Sequence, residues 1–307
     1  MVYSRLMPNA LEELQLRSLD DTSLWARRVR ADAPRARVAF IHGFAEHGGR
    51  YAHTLAAFAA AGLDAWVLDL RGHGQSGGPR TFVRSWSDYA DDVEAYLRHI
   101  EANSPQPRTP LFLVGHSMGG LVVASALLTR RGRLPALAGA ALLSPLLGVK
   151  MKLPGWKVAA ANGLSRIIPS FRLPSDIDPD VLSRDPAVGK AYLADTMCVH
   201  SATARWFTEC NAAQARAHEG AARLGNDPPL LVMHGDDDRL VDVDATRRFA
   251  GRVPGATLRI WPGGRHELLN ETNQEEVRGA ILAWIDGRLA AAPGAAPAAS
   301  HAGVKTP

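Results

Sequence analysis

From about residue 38 onward, short apolar runs alternate with stretches whose apolar residues recur at helical spacing. Val38–His42, Asp64–Asp69, Leu111–Val114, Ala138–Leu143, Leu230–Met233 and Thr257–Trp261 read as strands, several closed by a glycine or a proline. Between them, residues 51–61, 86–102, 118–129 and 275–289 read as helices; Tyr89, Val93, Tyr96, Leu97 and Ile100 share one face of the second. Strands and helices in strict alternation predict a mostly parallel sheet with helices on both faces. The first stretch is different. Residues 14–19 and 23–29, joined by Asp20-Asp21-Thr22, predict an antiparallel hairpin at one edge, which brings the sheet to eight strands.

The alternation stops between residues 148 and 226, where no strand is legible and prolines 154, 169, 174, 179 and 186 punctuate short helical pieces. A structureless loop of that length is out of place inside a compact domain. The segment is therefore expected to be a helical cap, 148–226, inserted into a core formed by residues 1–147 and 227–290. Residues 291–307 turn into an Ala/Pro-rich run and are expected to be disordered.

Composition excludes several classes. Apolar residues make up 46% of the 307 and charged residues 21%, an ordinary globular balance. The net charge of +4 is spread along the chain, which argues against a nucleic-acid binder. The two cysteines, Cys198 and Cys210, have neither C-x-x-C spacing nor a neighbouring histidine pair, so no zinc or redox site is expected. The first residues carry Glu12 and Glu13 where a signal peptide needs apolar residues, and no apolar run is long enough to span a bilayer. The expected location is cytoplasmic.

The chemistry centres on Gly115-His-Ser117-Met-Gly119-Gly120, between an expected strand and an expected helix. That context gives G-x-S-x-G its meaning. A serine hydroxyl is a weak nucleophile until it is exposed beside a base, and a sharp strand-to-helix turn exposes it. Where such a serine comes first, its acid and histidine follow in the chain. His200 and His218 fall in the cap, His234 ends a strand and His301 lies in the tail. His266, in the loop after the last strand, is left as the base. The acid belongs to the cluster Asp236, Asp237, Asp238, Asp242 and Asp244, which spacing alone does not separate. Two backbone amides are needed for an oxyanion. They are expected from Met118, after the serine, and Phe44, after the first parallel strand.

Together His42-Gly-Phe-Ala-Glu46-His-Gly-Gly-Arg50-Tyr51, Asp69-Leu-Arg-Gly72-His-Gly74, the serine motif and Gly235-Asp-Asp-Asp238-Arg-Leu-Val-Asp242 resemble the monoacylglycerol lipase and lysophospholipase family, with serine aminopeptidases close by. The resemblance runs from about residue 10 to 290. It implies an α/β-hydrolase fold and serine hydrolysis of single-chain lipid esters without metal or cofactor. It also implies Asp238 as the acid, and Glu46 and Arg50 at the head-group end of the pocket. The same pair can instead be a buried ion pair that holds the oxyanion loop. One departure is Leu269, standing where those lipases carry a second histidine that meets the glycerol; Phe44 stands where a small residue is usual.

In the cap, Trp156, Ala160, Leu164, Ile167, Ile168 and Phe171 recur near helical spacing among Lys150, Lys152, Lys157, Arg166 and Arg172. A basic amphipathic segment of this kind can lie on an anionic lipid surface. The other expectation is that its apolar side packs on the core and lines an acyl pocket. Asp176, Asp178, Asp180, Asp185 and Asp195 keep an aminopeptidase in view, since a free amine needs acidic partners.

Replacing Ser117 by Ala is expected to abolish hydrolysis of p-nitrophenyl esters while circular dichroism stays that of the parent. Turnover above a few per cent of the parent rate in pure protein would refute the assignment.

Overall fold

The computed structural model describes residues 10–291 except 105, 107, 151–154 and 176. The tail called disordered, with Lys152 and Asp176, lies outside the described residues apart from residue 291. Chain order runs β1 (Leu11–Arg17), β2 (Ser23–Val29), β3 (Ala36–Ile41), α1 (Ala52–Ala60), β4 (Leu63–Asp69), α2 (Ser87–Ala102), β5 (Leu111–His116), α3 (Met118–Thr129) and β6 (Gly139–Leu143). After the cap come β9 (Leu230–Gly235), α7 (Val243–Ala250), β10 (Thr257–Trp261) and α8 (Gln274–Ala290). The eight core strands pair in the order β1-β2-β4-β3-β5-β6-β9-β10. β1 and β2 are antiparallel and the other six run parallel.

Strand alternation feeds two cores. Val38 and Phe40 of β3 and Leu63, Ala65 and Val67 of β4 point to the face covered by Leu55 and Phe58 of α1 and Val277, Ile281 and Ile285 of α8. Ala39 and Ile41 of β3 and Trp66 and Leu68 of β4 point to the other face. There they meet Tyr89, Val93 and Tyr96 of α2, Leu121 and Val122 of α3, and Phe249 of α7. Both faces of β3, β4, β5, β6 and β9 are dry, and these strands read as mostly apolar runs in sequence, whereas the edge strand β10 is exposed along most of its length. α7 was missed in the sequence: it is only eight residues long, half of them polar, and it buries Ala245, Thr246, Phe249 and Ala250.

The cap holds α4 (Gly155–Ile167), β7 (Arg172–Pro174), α5 (Pro186–Ala194), β8 (Ser201–Thr203) and the start of α6 (Ala204–Leu224). β7 and β8 form an antiparallel pair, where the sequence suggested no strand; three residues each are too few to show a period. α6 lies wholly inside the expected cap segment, yet its two halves pack differently. Its first half meets α4, where the Ser165 and Thr208 hydroxyls are 2.8 Å apart. Its second half lays Ala213, Ala217 and Ala221 against the α3 side of the core. These small residues at intervals of four allow close helix approach and make this half part of the core's helical layer.

Candidate active site

Four loops at the carboxyl ends of the parallel strands converge, the position where sheets of this kind place their chemistry. Ser117 is the junction of β5 and α3, with φ +52° and ψ −118°. An L-residue adopts that region only when the surroundings enforce it. Here they do, through two close approaches. A Cβ on Gly115 would stand 2.4 Å from the Gly119 carbonyl oxygen, and one on Gly119 would stand 2.2 Å from that of Ile41. The Ser117 amide donates to the Leu143 carbonyl at 2.9 Å, which fixes the turn to β6.

The turn aims Ser117 Oγ at His266 Nε2, 2.9 Å away. His266 Nδ1 is 2.7 Å from Asp238 Oδ2. The other Asp238 oxygen accepts from the amides of Leu240 and Val241 at 2.8 and 2.9 Å. Ser117, His266 and Asp238 are all buried. The remaining aspartates of that cluster have structural duties. Asp236 accepts from the Gly263 amide, Asp237 pairs with Arg239, Asp242 caps α7 and Asp244 pairs with Arg247.

Burial alone would raise the Asp238 carboxyl. The His266 charge and the hydrogen bonds from His234 and His266 outweigh it and hold the group far below the ordinary carboxylate range. For His266, burial favours the neutral ring, but the charge of Asp238 and its hydrogen bond win and raise the imidazole above its usual value of 6.5; Glu267 and Glu46 add to this. His116, between β5 and the serine, is pushed down to about 4 by burial and by the neighbouring His266 charge. It stays neutral with its ring centroid 4.9 Å from that of His266.

The Phe44 and Met118 amides donate to no protein acceptor among the described residues. Met118 opens α3, so its N–H is free by helix geometry. Phe44 belongs to a loop pinned on all sides. Glu46 Oε1 accepts from the Gly43 amide at 2.6 Å and the Tyr51 hydroxyl at 2.8 Å. His42 Nε2 accepts from the Leu70 amide at 2.9 Å. Asp69 takes the Gly48 and Gln75 amides and Arg27. The Asp69-to-Gly74 motif therefore supports the loop and supplies no reacting group. The Phe44 ring lies 4.0 Å, centroid to centroid, from Trp206 of α6 and faces the cap.

Arg50 joins Glu46 at 2.6 Å and grips Glu267 with two bonds of 2.8 and 2.9 Å. Both sequence readings of Glu46 and Arg50 thus have a counterpart: the pair braces the loop, and both residues also line the cavity over Ser117. Glu267 was missed, although it directly follows the histidine in sequence. Leu269 is placed elsewhere. It is buried in the core beneath α8, away from the cavity lining, and only its carbonyl is engaged, 3.1 Å from His53 Nε2. The 3-10 turn at Leu268–Asn270 turns this side chain inward.

The cavity measures about 160 Å³ and is lined by Phe44, Leu146, Ile177, Leu182, Tyr192 and Trp206 around the polar groups already named. That is smaller than the ~300–1,000 Å³ of a typical ligand pocket. The Ser175 and Tyr192 hydroxyls in its lining are buried without a protein partner. A larger hollow of about 510 Å³, lined by Pro34, Arg35 and Pro110, lies at the opposite ends of the strands and contains none of this chemistry. The described cap aspartates stay out of the cavity lining. Asp178 and Asp185 cap helical turns, and Asp195 binds His47. His47, Asp195 and Cys198 bring possible metal-ligand atoms within 4.8 Å of one another. The Gly49 amide, however, donates to His47 Nδ1, so the neutral ring carries its proton on Nε2 toward Asp195 and has no lone pair there for an ion. Both thiols are free and pushed up to about 12 by burial, which makes them inert.

The profile of the family described as serine aminopeptidase, S33, matches residues 32–273. A monoacylglycerol lipase of Mycolicibacterium smegmatis is 37% identical over 261 residues, 83% of this chain and 90% of that one. Phospholipase YtpA of Bacillus subtilis is 33% identical over 84% of this chain and 97% of its own. The crystal structure of a Paleococcus ferrophilus monoacylglycerol lipase superposes with a TM-score of 0.75 at 26% identity, covering 91% of this chain and 99% of that one. The fold common to these proteins is the α/β-hydrolase fold.

Changing Asp238 to Asn is expected to lower kcat by about 10³–10⁴-fold. It should also move the acid limb of the kcat/KM profile downward. The sign follows from His266, which must be neutral to take a proton. Asp238 raises its affinity for the proton, and without that charge burial alone lowers it. A near-parental rate, or an acid limb that moves up, would assign the acid elsewhere.

Proposed function

The chain belongs to the serine aminopeptidase S33 family, a family of serine hydrolases, and from that premise we propose that it cleaves the carboxylic esters of single-chain lipids through an acyl-enzyme on Ser117. The observation that carries the reading is the unbroken line Ser117–His266–Asp238, at 2.9 and 2.7 Å, beside two undonated amides. His266 takes the Ser117 proton as Oγ attacks the ester carbonyl. The Phe44 and Met118 amides receive the oxyanion, and His266 returns the proton to the leaving alcohol. Water, activated by the same histidine, then releases the fatty acid. The names of the two relatives, a monoacylglycerol lipase and a phospholipase, support a lipid ester.

The site favours a neutral head group. Glu46 and Glu267 face the single guanidinium of Arg50, so this end of the cavity has an excess of negative charge. A phosphate there would meet two buried carboxylates, whereas a polyol can use the unpartnered hydroxyls of Ser175 and Tyr192. A substrate anchored by a free amine has less support, because none of the described cap aspartates lines the cavity.

In this reading the cap, residues 148–226 apart from the second half of α6, acts as a lid. A cavity of about 160 Å³ holds only part of a long acyl chain, so the cap must shift to admit one. Its outer side suits a lipid surface. Trp156 and Ile167 are 70% and 80% exposed, Ile168 and Phe171 are exposed beside them, and Arg166 and Arg172 lie on the same stretch. Of the two expectations for this apolar stripe, this arrangement supports contact with an anionic membrane. No helix among the described residues is long and apolar enough to cross a bilayer.

The test is kcat/KM on a chain-length series of monoacylglycerols, on the matching lysophosphatidic acids, and on both presented in vesicles with and without anionic lipid. Specificity should rise with chain length, since each buried methylene contributes about 0.8 kcal/mol. Monoacylglycerols should exceed the phosphate-bearing lipids, and anionic vesicles should accelerate turnover. A flat series, or preference for the phosphate-bearing lipids, would sink the proposal.

A further inference from the structure

Asp238 Oδ2 accepts two hydrogen bonds, and only one comes from His266. The second comes from His234 Nε2, at 3.0 Å. His234 is the fifth residue of β9 and, like Asp238, is fully buried. Its other nitrogen, Nδ1, lies 2.8 Å from the hydroxyl of Thr246 on α7, which is equally buried. An ionised carboxylate accepts only, so His234 Nε2 must carry a proton. In the neutral ring Nδ1 is then an acceptor and the Thr246 hydroxyl donates to it. One directed chain results: Thr246 to His234 to Asp238, with His266 and Ser117 on the far side.

We propose that His234, held by Thr246, is a positioning residue for the hydrolysis: it fixes the Asp238 carboxylate toward His266 and draws off part of its charge. The inference rests on the reading of Ser117, His266 and Asp238 as the reacting groups. Two features of the geometry set the role. The Leu240 and Val241 amides occupy Oδ1, so they define the carboxylate plane but leave Oδ2 to the two imidazoles. Without His234, Oδ2 has His266 as its one partner in a buried setting and keeps more of its charge for that contact. His266 would then hold its proton more tightly and be a poorer base at neutral pH. The other groups around this pair are His116 from β5, Glu46 and Arg50 from the oxyanion loop, Glu267 beside His266, and Lys150, whose Nζ donates to the Asp238 carbonyl at 3.1 Å. None of them donates to Asp238 Oδ2, so none replaces His234.

His234→Leu removes the donor. His234→Gln keeps an amide that can donate to Asp238 and accept from Thr246. Thr246→Val removes the hydroxyl with little change of volume. Each is measured for kcat, KM and the pH profile on a p-nitrophenyl ester, with thermal melting to establish folding and Ser117→Ala alongside. The Leu variant should lose kcat on the order of ten- to a hundredfold, the effect typical of losing a group that orients a reacting side chain. Its KM should stay near that of the parent. Its acid limb should move up by about half a pH unit or more, because Asp238 is less shared. The Gln variant should recover most of the rate. If the Leu variant fails to fold, the Val variant carries the test, with a smaller loss of kcat and the same upward limb. A Leu variant at parental kcat, Leu and Gln variants that fall equally, or a limb that stays put or moves down would overturn the inference. Should Ser117→Ala remain active, the failure would belong to the underlying reading instead.

Discussion

Ser117 stands at φ +52°, a conformation that costs an L-residue roughly 1–3 kcal/mol and persists only where the surroundings over-determine it. Around it β3, β5 and α3 approach so closely that Gly115 and Gly119 leave no room for a Cβ. The same packing that bends the chain also lifts Oγ off the sheet toward His266 and leaves the Met118 amide free at the helix start. The proposed nucleophile and one proposed oxyanion donor are thus two consequences of one turn. The core on either face of the sheet holds that turn rigid.

The charged and polar groups brought to Ser117 from the strand ends each need compensation in a dry environment. The compensation is local and distributed. Asp238 has two amides and two imidazoles. Glu46 has an amide, a phenol and a guanidinium, and Arg50 spans Glu46 and Glu267. Asp69 does the same for the loop that carries Phe44. The polar groups left without protein partners in the cavity lining, Ser175 and Tyr192, lie where a substrate would sit.

Much of this was legible in the chain. The five inner parallel strands were readable because each is buried on both faces, and α2 because its apolar residues keep to one side. The serine motif was meaningful only through the strand and helix around it. The register of the acid was not in the spacing; five aspartates fit, and the family pattern pointed to Asp238. What stayed hidden was hidden for physical reasons. β7 and β8 are too short for a period, α7 is little more than two turns and half polar, and α6 belongs partly to cap and partly to core. Glu267 directly follows His266, and His234 reads in sequence as a strand end; their partners, Arg50 and Asp238, are set by tertiary contact. Leu269 was named from the family's site, whereas its backbone turns it into the core.

The central claim is that a covalent ester forms on Ser117. Rapid mixing of the enzyme with a slowly deacylating p-nitrophenyl ester, followed by intact-mass and peptide mass analysis, tests it most directly. The account predicts a burst of one equivalent of p-nitrophenol per chain and one acyl adduct, located on the peptide that contains Ser117. Steady turnover with no adduct, or an adduct on another residue, would contradict it.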